Sequence, residues 1–485
     1  MSNTSTLSAS ESKVSGKSKL RGSLGVSSIV LMVVATAAPL TVMVANTPLI
    51  ISMGNGAAAP FDALVATAIM LLFTIGFVSM SSHITNAGAF YAYIQKGMGR
   101  IVGLGSATLA LLSYFLILVA IEAYMGFAIG ELVKNQTGIS IPWQAISVAV
   151  VVIVGILGYR DIELSSKFLG LALILEILIV LAVNALIFFD HGVAGMDVTP
   201  FTLPVITSGS PGLGIMFAIY CFIGFEATVV YREEARDPER TIPRATYAAV
   251  LIVGAFYVLS MWFEVIGFGV DNVAKVAAEH PADLYLILTQ QYLGKVGYDV
   301  IQVLLVTSLF ACVLSVHNIV VRYQYVLGRF GVFHKCLSIV HEEHGSPHVS
   351  SIVQTITSLA LLFVLFVIGL DPVTQIYAWG ATAGTLGYMA ILSLTCASVI
   401  AFFWGSKSAR MWNTKIAPLG GLVGLLFCLW IAISNLPSLI GGDAASAIAI
   451  YISAVMSIAF LVGIVVAMTM KTKFPSRYEK LRELA

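Results

Sequence analysis

The residues best placed to do chemistry are Glu226 and the six before it. An uncharged run of membrane length, 198 to 225, ends in Tyr220-Cys-Phe-Ile-Gly-Phe225 and meets a carboxylate just before a dense charged stretch, Tyr231 to Arg244. A carboxylate at hydrocarbon depth is expensive, and it persists where it is protonated, hydrogen-bonded or paired. Gly224, two residues earlier, weakens the helix. An acid beside a helix breaker reads as a binding site. A second such place is Thr36-Ala-Ala-Pro-Leu-Thr41, where Pro39 lacks an N–H, clashes with the preceding turn and frees a carbonyl near residue 35. Backbone groups freed at that depth must line a cavity. Two half-helix N-termini would then bring partial positive charge to one site, and two C-terminal ends partial negative charge, which suits a zwitterion. The substrate-binding candidates are accordingly Thr36, Ala37, Ala38, Pro39, Leu40, Thr41, Tyr220, Cys221, Phe222, Ile223, Gly224 and Phe225. The plainer alternative is a packing helix that Pro39 merely kinks.

Four residues are candidates for moving a proton. Glu226 reads as a coupling or gating carboxylate, or as a structural acid bonded to the N–H groups freed at the break. Glu176 lies in the apolar run Leu169 to Phe189, where it would exchange a proton, hold a cation near the first helix, or make an interhelical hydrogen bond. Glu122, in Ala120-Ile-Glu-Ala-Tyr124, could meet a substrate ammonium. His317 titrates in a range suited to a relay, and otherwise is a packed hydrogen-bonding residue. Tyr220, Phe222 and Phe225 offer aromatic faces to an ammonium. Glu264 and Glu131 fall near span ends and read as interfacial. No Ser/His/Asp order or metal-type Cys/His spacing is present, and Gly103-Leu-Gly105 sits in an apolar run rather than after a strand. The sequence therefore points away from an enzyme, and no cofactor, metal or nucleic-acid partner is expected.

The elements that position these residues are membrane helices. The chain has 485 residues, 58% hydrophobic and 11% charged, with net charge +1 and mean hydropathy +0.94. No soluble globular protein has that composition. With about 20 apolar residues per span, the reading is an all-α integral membrane protein with twelve transmembrane helices. Their limits are 24 to 53, 61 to 81, 102 to 132, 141 to 159, 164 to 189, 211 to 231, 244 to 269, 296 to 328, 348 to 370, 373 to 404, 416 to 436 and 445 to 470. In that alternation, all of the 26 Lys and Arg except Lys134, Lys275 and Lys295 fall on one face. The positive-inside rule places both termini in the cytosol. Residues 1–23 and 471–485 read as cytosolic tails, the first disordered. Pro39 and Gly224 lie five spans apart and so run in opposite senses, the pattern of inverted five-helix repeats, 24–189 and 211–404, each opening with a broken helix. Helices 11 and 12, in 416–470, stand outside the repeats.

Phe222-Ile-Gly-Phe-Glu226 with Glu233-Glu234, Asp237-Pro238 and Ile242-Pro243-Arg244-Ala245 resembles the sixth-helix signature of the amino acid–polyamine–organocation (APC) superfamily of permeases. Asn86-Ala-Gly-Ala-Phe-Tyr91-Ala-Tyr93 with Gly97, and Arg322 with Gly328-Arg-Phe-Gly331, are similar to two further segments of that family. The resemblance covers 20 to 470. It implies a LeuT-like fold and alternating access in a multi-pass protein of the cell (cytoplasmic) membrane. Two positions depart from the family's pattern: Thr36-Ala-Ala-Pro-Leu-Thr41 replaces a glycine-serine-glycine cradle, and Glu176 stands where several members carry a lysine in place of a coupling sodium.

The expected function is secondary active transport, import or exchange of a small amino acid or related amine, with a proton preferred to sodium. Alternatives are a polyamine or organic cation permease and, from another class, a non-transporting nutrient sensor or transporter subunit. Partners are the small-molecule substrate, the proton and the bilayer, with monomer and homodimer both open.

Overall fold

The computed structural model describes residues 24–84, 90–160, 166–226, 228, 235–406, 410–440 and 445–484, without the side chains of 35–36, 166–169 and 483–484. The tail 1–23, the segment 86–89 and residues 231–234, including Glu233 and Glu234, lie outside the described residues. So does the side chain of Thr36.

The regular structure of the described residues is helical, joined by turns and short irregular segments, with one isolated bridge, Leu24 to Ala235. In chain order the main helices are α1 (Val26–Ala37), α2 (Ala59–Ser81), α3 (Phe90–Met98), α4 (Arg100–Thr137), α5 (Trp143–Tyr159), α6 (Ser166–His191), α7 (Pro211–Tyr220) and α8 (Pro238–Phe268). They are followed by α9 (Val273–Glu279), α10 (Leu284–Arg329), α11 (His348–Ile368), α12 (Ala378–Phe402), α13 (Ala417–Ile440), α14 (Ala445–Lys473) and α15 (Pro475–Lys480). Among the described residues nine helical stretches are long and apolar enough to cross a membrane; Trp143–Tyr159 and Pro211–Tyr220 are shorter apolar helices.

The centre of the architecture is α4. Thirty-eight residues long, it spans about 57 Å at 1.5 Å per residue, more than a hydrocarbon core of about 30 Å, so it must tilt. It packs on α3, α5, α10, α11, α12 and α14. Lipid supplies no hydrophobic drive between helices, so close backbone approach has to hold them. Small residues permit it. A Cβ on Gly463 of α14 would lie 2.7 Å from the Gly105 Cα of α4, and one on Gly384 of α12 would lie 2.9 Å from the Ser113 carbonyl.

After α1 the helix resumes at Pro39 and continues in alternating α and π turns to Asn55. Gly54 (φ −102°, ψ −113°) and Gly56 (φ 59°) then turn the chain into α2. Asn55 Nδ2 donates to Asp62 Oδ1 at 3.1 Å, and the Ser210 N–H donates to the Gly54 carbonyl at 2.9 Å, tying this turn to the start of α7.

Two expectations need correcting. The eighth span is expected to begin at 296, with 270 to 295 between spans, yet that segment holds α9 and the first turns of α10, which bends at Gly294 (φ 65°). Glu264 was expected at an interface, yet it is wholly buried with neither carboxyl oxygen hydrogen-bonded. The reason is the same for both: the 270 to 295 segment folds back over the end of α8, and Tyr285 lies close to the acid.

The C-terminal segment docks as well. Leu481 is fully buried with Leu104, Leu327, Phe330, Ala467 and Met470. Arg100 pairs with Glu479 at 2.9 Å and lies 4.8 Å over the Tyr478 ring. The Arg100 guanidinium holds the Glu479 carboxylate below the ordinary glutamate range. Below its unfolded value that group contributes less and less to docking, and the contribution is lost as the pH falls through the lowered value. Leu481→Ala should cost about 2–5 kcal/mol, read as a lower unfolding midpoint in detergent with earlier proteolysis at Arg477 and Lys480; an unchanged midpoint and cleavage pattern would mean that the tail is not docked.

Candidate functional site

Two interruptions of helix define the site. At the first, α1 ends at Ala37, and Ala38 adopts φ 46°, ψ 67°, the one non-glycine residue at positive φ among the described residues. That conformation costs an L-residue about 1–2 kcal/mol. Pro39 follows it, with no N–H to give back to the preceding turn. Tyr257 Oη of α8 donates to the Ala37 carbonyl at 3.4 Å.

Glu176 of α6 reaches this break. Its Oε2 accepts from Ser308 Oγ of α10 at 2.9 Å, and the Leu40 backbone N–H faces the same carboxylate. Ser308 in turn accepts from Thr41 Oγ1 at 3.1 Å. A chain of donors therefore runs from Thr41 at the break, through Ser308, into Glu176.

At the second interruption α7 stops at Tyr220 and residues 221–226 form turns, with Gly224 at φ 103°. Only glycine adopts that angle without strain. Glu226, buried in the membrane interior, folds back on this turn: its Oε2 accepts from the Gly224 N–H at 3.0 Å and from Tyr388 Oη of α12 at 3.2 Å. Its Oε1 accepts from Tyr114 Oη of α4. All three donors are uncharged.

Asn46 joins the two interruptions. Its Nδ2 donates to the Phe217 carbonyl at 2.8 Å and to Cys221 Sγ at 3.0 Å, so the first membrane segment is pinned to the last turn of α7. Around the second break the aromatics divide in two. Phe225 packs in a nest of Phe73, Phe77 and Phe90, while Phe222 meets Tyr257 edge-on at 6.3 Å. Tyr220 stands 6.5 Å from Tyr377, which lies 4.9 Å from Tyr124. Beyond Tyr124 opens a cavity of about 370 Å³, lined also by Glu131, Asp283, Tyr298 and Gln302. The three tyrosines thus separate that cavity from Cys221.

The structure brings Ala37, Ala38, Pro39, Leu40 and Thr41 to one break with Glu176, and Tyr220 to Phe225 to the other with Glu226. It places two candidates elsewhere. Glu122 faces α5 and α11, where Ser147 Oγ donates to its backbone carbonyl at 3.0 Å. His317 Nε2 lies 3.1 Å from Ser351 Oγ, against Gly158 of α5. Both helices are remote in the packing from α1 and α7.

Sequence reading missed Asn46, Ser308, Tyr257, Tyr114, Tyr388 and Tyr377. Asn46 could have been found, since a buried amide in an apolar run needs a partner. The tyrosines could not, because the residues on α4 and α12 that share Glu226 are 112 and 162 positions away from it.

Arranged this way, the interior offers two carboxyl groups at two helix breaks, each held by hydroxyl and N–H donors and neither neutralised by a fixed cation in these contacts. Such groups can attract an ammonium, or exchange a proton, without breaking an ion pair.

Residues 24–460 match the family described as Amino acid permease. The chain is 24% identical over 351 residues to the low-affinity putrescine importer PlaP of Escherichia coli K12, covering 69% of this chain and 72% of that protein. It is 23% identical over 356 residues to the branched-chain amino acid permease BcaP of Bacillus subtilis, with 70% and 73% covered. The crystal structure of MhsT in complex with L-phenylalanine is similar in fold, with a TM-score of 0.57 at 13% identity, covering 83% of this chain and 98% of that one. With a family match over nearly its whole length and a LeuT-like solved neighbour, the chain belongs to the amino acid permease family: it is a multi-pass membrane transporter, not an enzyme.

Proposed function

We propose that this permease is a proton-coupled secondary transporter that imports or exchanges a small amino acid or related amine across the cell membrane. The observation that carries the reading is that each helix break is closed by a carboxyl group of the chain itself, Glu176 at the first and Glu226 at the second. In this reading twelve spans form two inverted repeats, 24–189 and 211–404, with 416–470 outside them and both termini in the cytosol. Val26–Ser81 counts as two spans, because 56 helical residues would reach about 84 Å and the chain turns at Gly54 to Gly56.

The proton is preferred to sodium on the chemistry of the first break. A sodium site needs converging oxygen acceptors, whereas the contacts on Glu176 come from a hydroxyl hydrogen and an N–H, which present positive charge. Both stabilise the ionised carboxylate without pairing it with a fixed charge, and leave a proton as the cation it can take up in place.

The polyamine or organic cation reading draws on the same contacts. An α-amino acid seats its carboxylate on freed N–H groups, yet the Gly224 N–H is taken by Glu226 and the Leu40 N–H faces Glu176. A substrate carboxylate would have to displace one of these acids. An amine would not. PlaP, the relative described as a putrescine importer, is consistent with that substrate class, and BcaP, described as a branched-chain amino acid permease, with the other.

The deciding experiment measures uptake of radiolabelled putrescine and leucine into sodium-free proteoliposomes with outside pH varied. Acidic outside pH should raise uptake, and Glu176→Gln or Glu226→Gln should flatten that response while binding, read by thermal shift, survives. Uptake that requires sodium and ignores pH overturns the coupling. Competition then sorts the substrate: inhibition by diamines but not by neutral amino acids establishes the amine.

Gly224→Leu should abolish ligand-induced thermal stabilisation while leaving expression intact, because the position demands φ 103° and the backbone there approaches the ligand. Undiminished stabilisation would remove this turn from the site. For topology, cysteines placed in 134 to 140 should react with impermeant reagents from outside and those in 233 to 240 should not; reversed labelling would invert the orientation.

A further inference from the structure

One more carboxyl lies in the membrane interior, away from both breaks and at the head of a file of buried polar side chains. Glu122 is fully buried on α4, and neither of its carboxyl oxygens is engaged by a hydrogen bond of ordinary geometry. Ser358 of α11 faces the carboxyl. From there the contacts continue toward the α11 end that carries His348: Gln354 Nε2 donates to Ser358 Oγ at 3.0 Å, and Gln324 Nε2 of α10 donates to Gln354 Oε1 at 3.0 Å. Gln324 Oε1 is left without a partner at 8% exposure. Ser358 and Gln354 are wholly buried.

Packing alone does not account for this file. A hydrophobic trio of the same shape would cost nothing in hydrocarbon, whereas each of these groups must be satisfied there. Among the described residues, the helices around Glu122 bring no cationic side chain to its depth. α5 carries no charged residue, its one titratable group being Tyr159, and α11 carries only His348, at its start. On the second half of α10 the titratable residues are Cys312, His317, held at Ser351, and then Arg322, Tyr323, Tyr325 and Arg329 toward its end, and the turn 372–377 that also packs on α4 brings Tyr377. α12 offers Tyr388, which is bonded to Glu226, and Cys396; α14 offers Tyr451 and, at its end, Lys471 and Lys473; α3 offers Tyr91, Tyr93 and Lys96. A carboxylate unpaired in such surroundings is more costly than a neutral carboxylic acid.

We propose that Glu122 is a proton-binding site distinct from both helix breaks, loaded and unloaded from the cytosolic face along Ser358, Gln354 and Gln324. The transfer is simple: an O–H bond of a hydronium breaks, an O–H bond to a Glu122 oxygen forms, and water is left behind. Amides are poor proton carriers, so the glutamines hold the water molecules that carry the proton, beginning at the free Gln324 oxygen. The role in transport rests on the proton-coupled reading above; the proton site itself does not.

The test is infrared spectroscopy of the full-length protein reconstituted in lipid, which needs no substrate. Glu122→Gln should remove a protonated-carboxyl C=O band from the wild-type spectrum, and Gln354→Leu should slow hydrogen–deuterium exchange of that band by an order of magnitude or more. If Glu122→Gln does not fold, Glu122→Asp should shift the band and Ser358→Ala should slow its exchange. An unchanged carboxyl spectrum in the Glu122 variant, or wild-type exchange in Gln354→Leu and Ser358→Ala, overturns the site. The role is read separately, with putrescine and leucine uptake as probes: Gln354→Leu should lose the dependence on inside pH and keep that on outside pH. Wild-type uptake indifferent to pH on both sides would sink the coupling reading while the infrared result still decides Glu122.

Discussion

A backbone N–H or C=O in hydrocarbon has no water to turn to, and everything at the centre of this molecule follows from that constraint. Where the chain stays helical the constraint is met within each helix. It fails where Ala38 leaves the helical region and where α7 ends at Tyr220, and each time other side chains close the gap. Tyr257 takes the Ala37 carbonyl, Asn46 takes the Phe217 carbonyl, and Glu226 takes the Gly224 N–H. These side chains come from three different membrane segments. The breaks therefore hold the packing together as much as the packing holds the breaks.

The long helix α4 connects this chemistry to the rest of the fold. Its glycine-lined contacts with α12 and α14 set it closely among its neighbours, and its Tyr114 reaches Glu226 while its C-terminal half carries Tyr124 toward Tyr377. Each contact to the second break is thus anchored on a helix that is itself closely packed. Such anchoring lets a small change at Glu226 be felt by α12 through Tyr388. The C-terminal tail, docked against the opposite end of α4 through Arg100 and Leu481, adds a second fixed point on the same helix.

Much of this was legible in the sequence, for physical reasons. Membrane helices announce themselves through length and apolarity, and acids at depth stand out because so few are tolerated; Glu176, Glu226 and the residues beside Pro39 and Gly224 were found that way. Depth along one helix, however, says nothing of rotation about its axis. Glu122 was assigned toward a substrate and points instead at α5 and α11, because one position on a helix differs from the next by 100° and the apolar run around it has no polar face to set the angle. The partners of the acids were not legible either. Ser308, Tyr114 and Tyr388 are unremarkable in their own helices, and Glu264 read as interfacial because the sequence does not show that the segment just after its helix folds back as a cap.

The choice of partners carries a mechanical consequence. A hydroxyl can either donate or accept, whereas an N–H can only donate. At Glu226, Oε2 accepts from the Gly224 N–H and the Tyr388 hydroxyl whereas Oε1 accepts from Tyr114, so a proton taken up in the proposed mechanism would meet less crowding by donors on Oε1, where the Tyr114 hydroxyl can turn from donor to acceptor. At Glu176 the effect travels further. Thr41 donates to Ser308 and Ser308 donates to Oε2; a proton placed on Oε2, as proposed above, would make the carboxyl the donor and free the Ser308 hydrogen to turn toward Thr41. With that turn the chain reverses, and the Thr41 hydroxyl is released as a donor at the residue that follows Pro39 and Leu40 out of the first break. Had Glu176 been paired with a lysine or arginine, no such reversal could occur, because a cation has no acceptor to offer. Uncharged partners make the acid's protonation state something the first break can register.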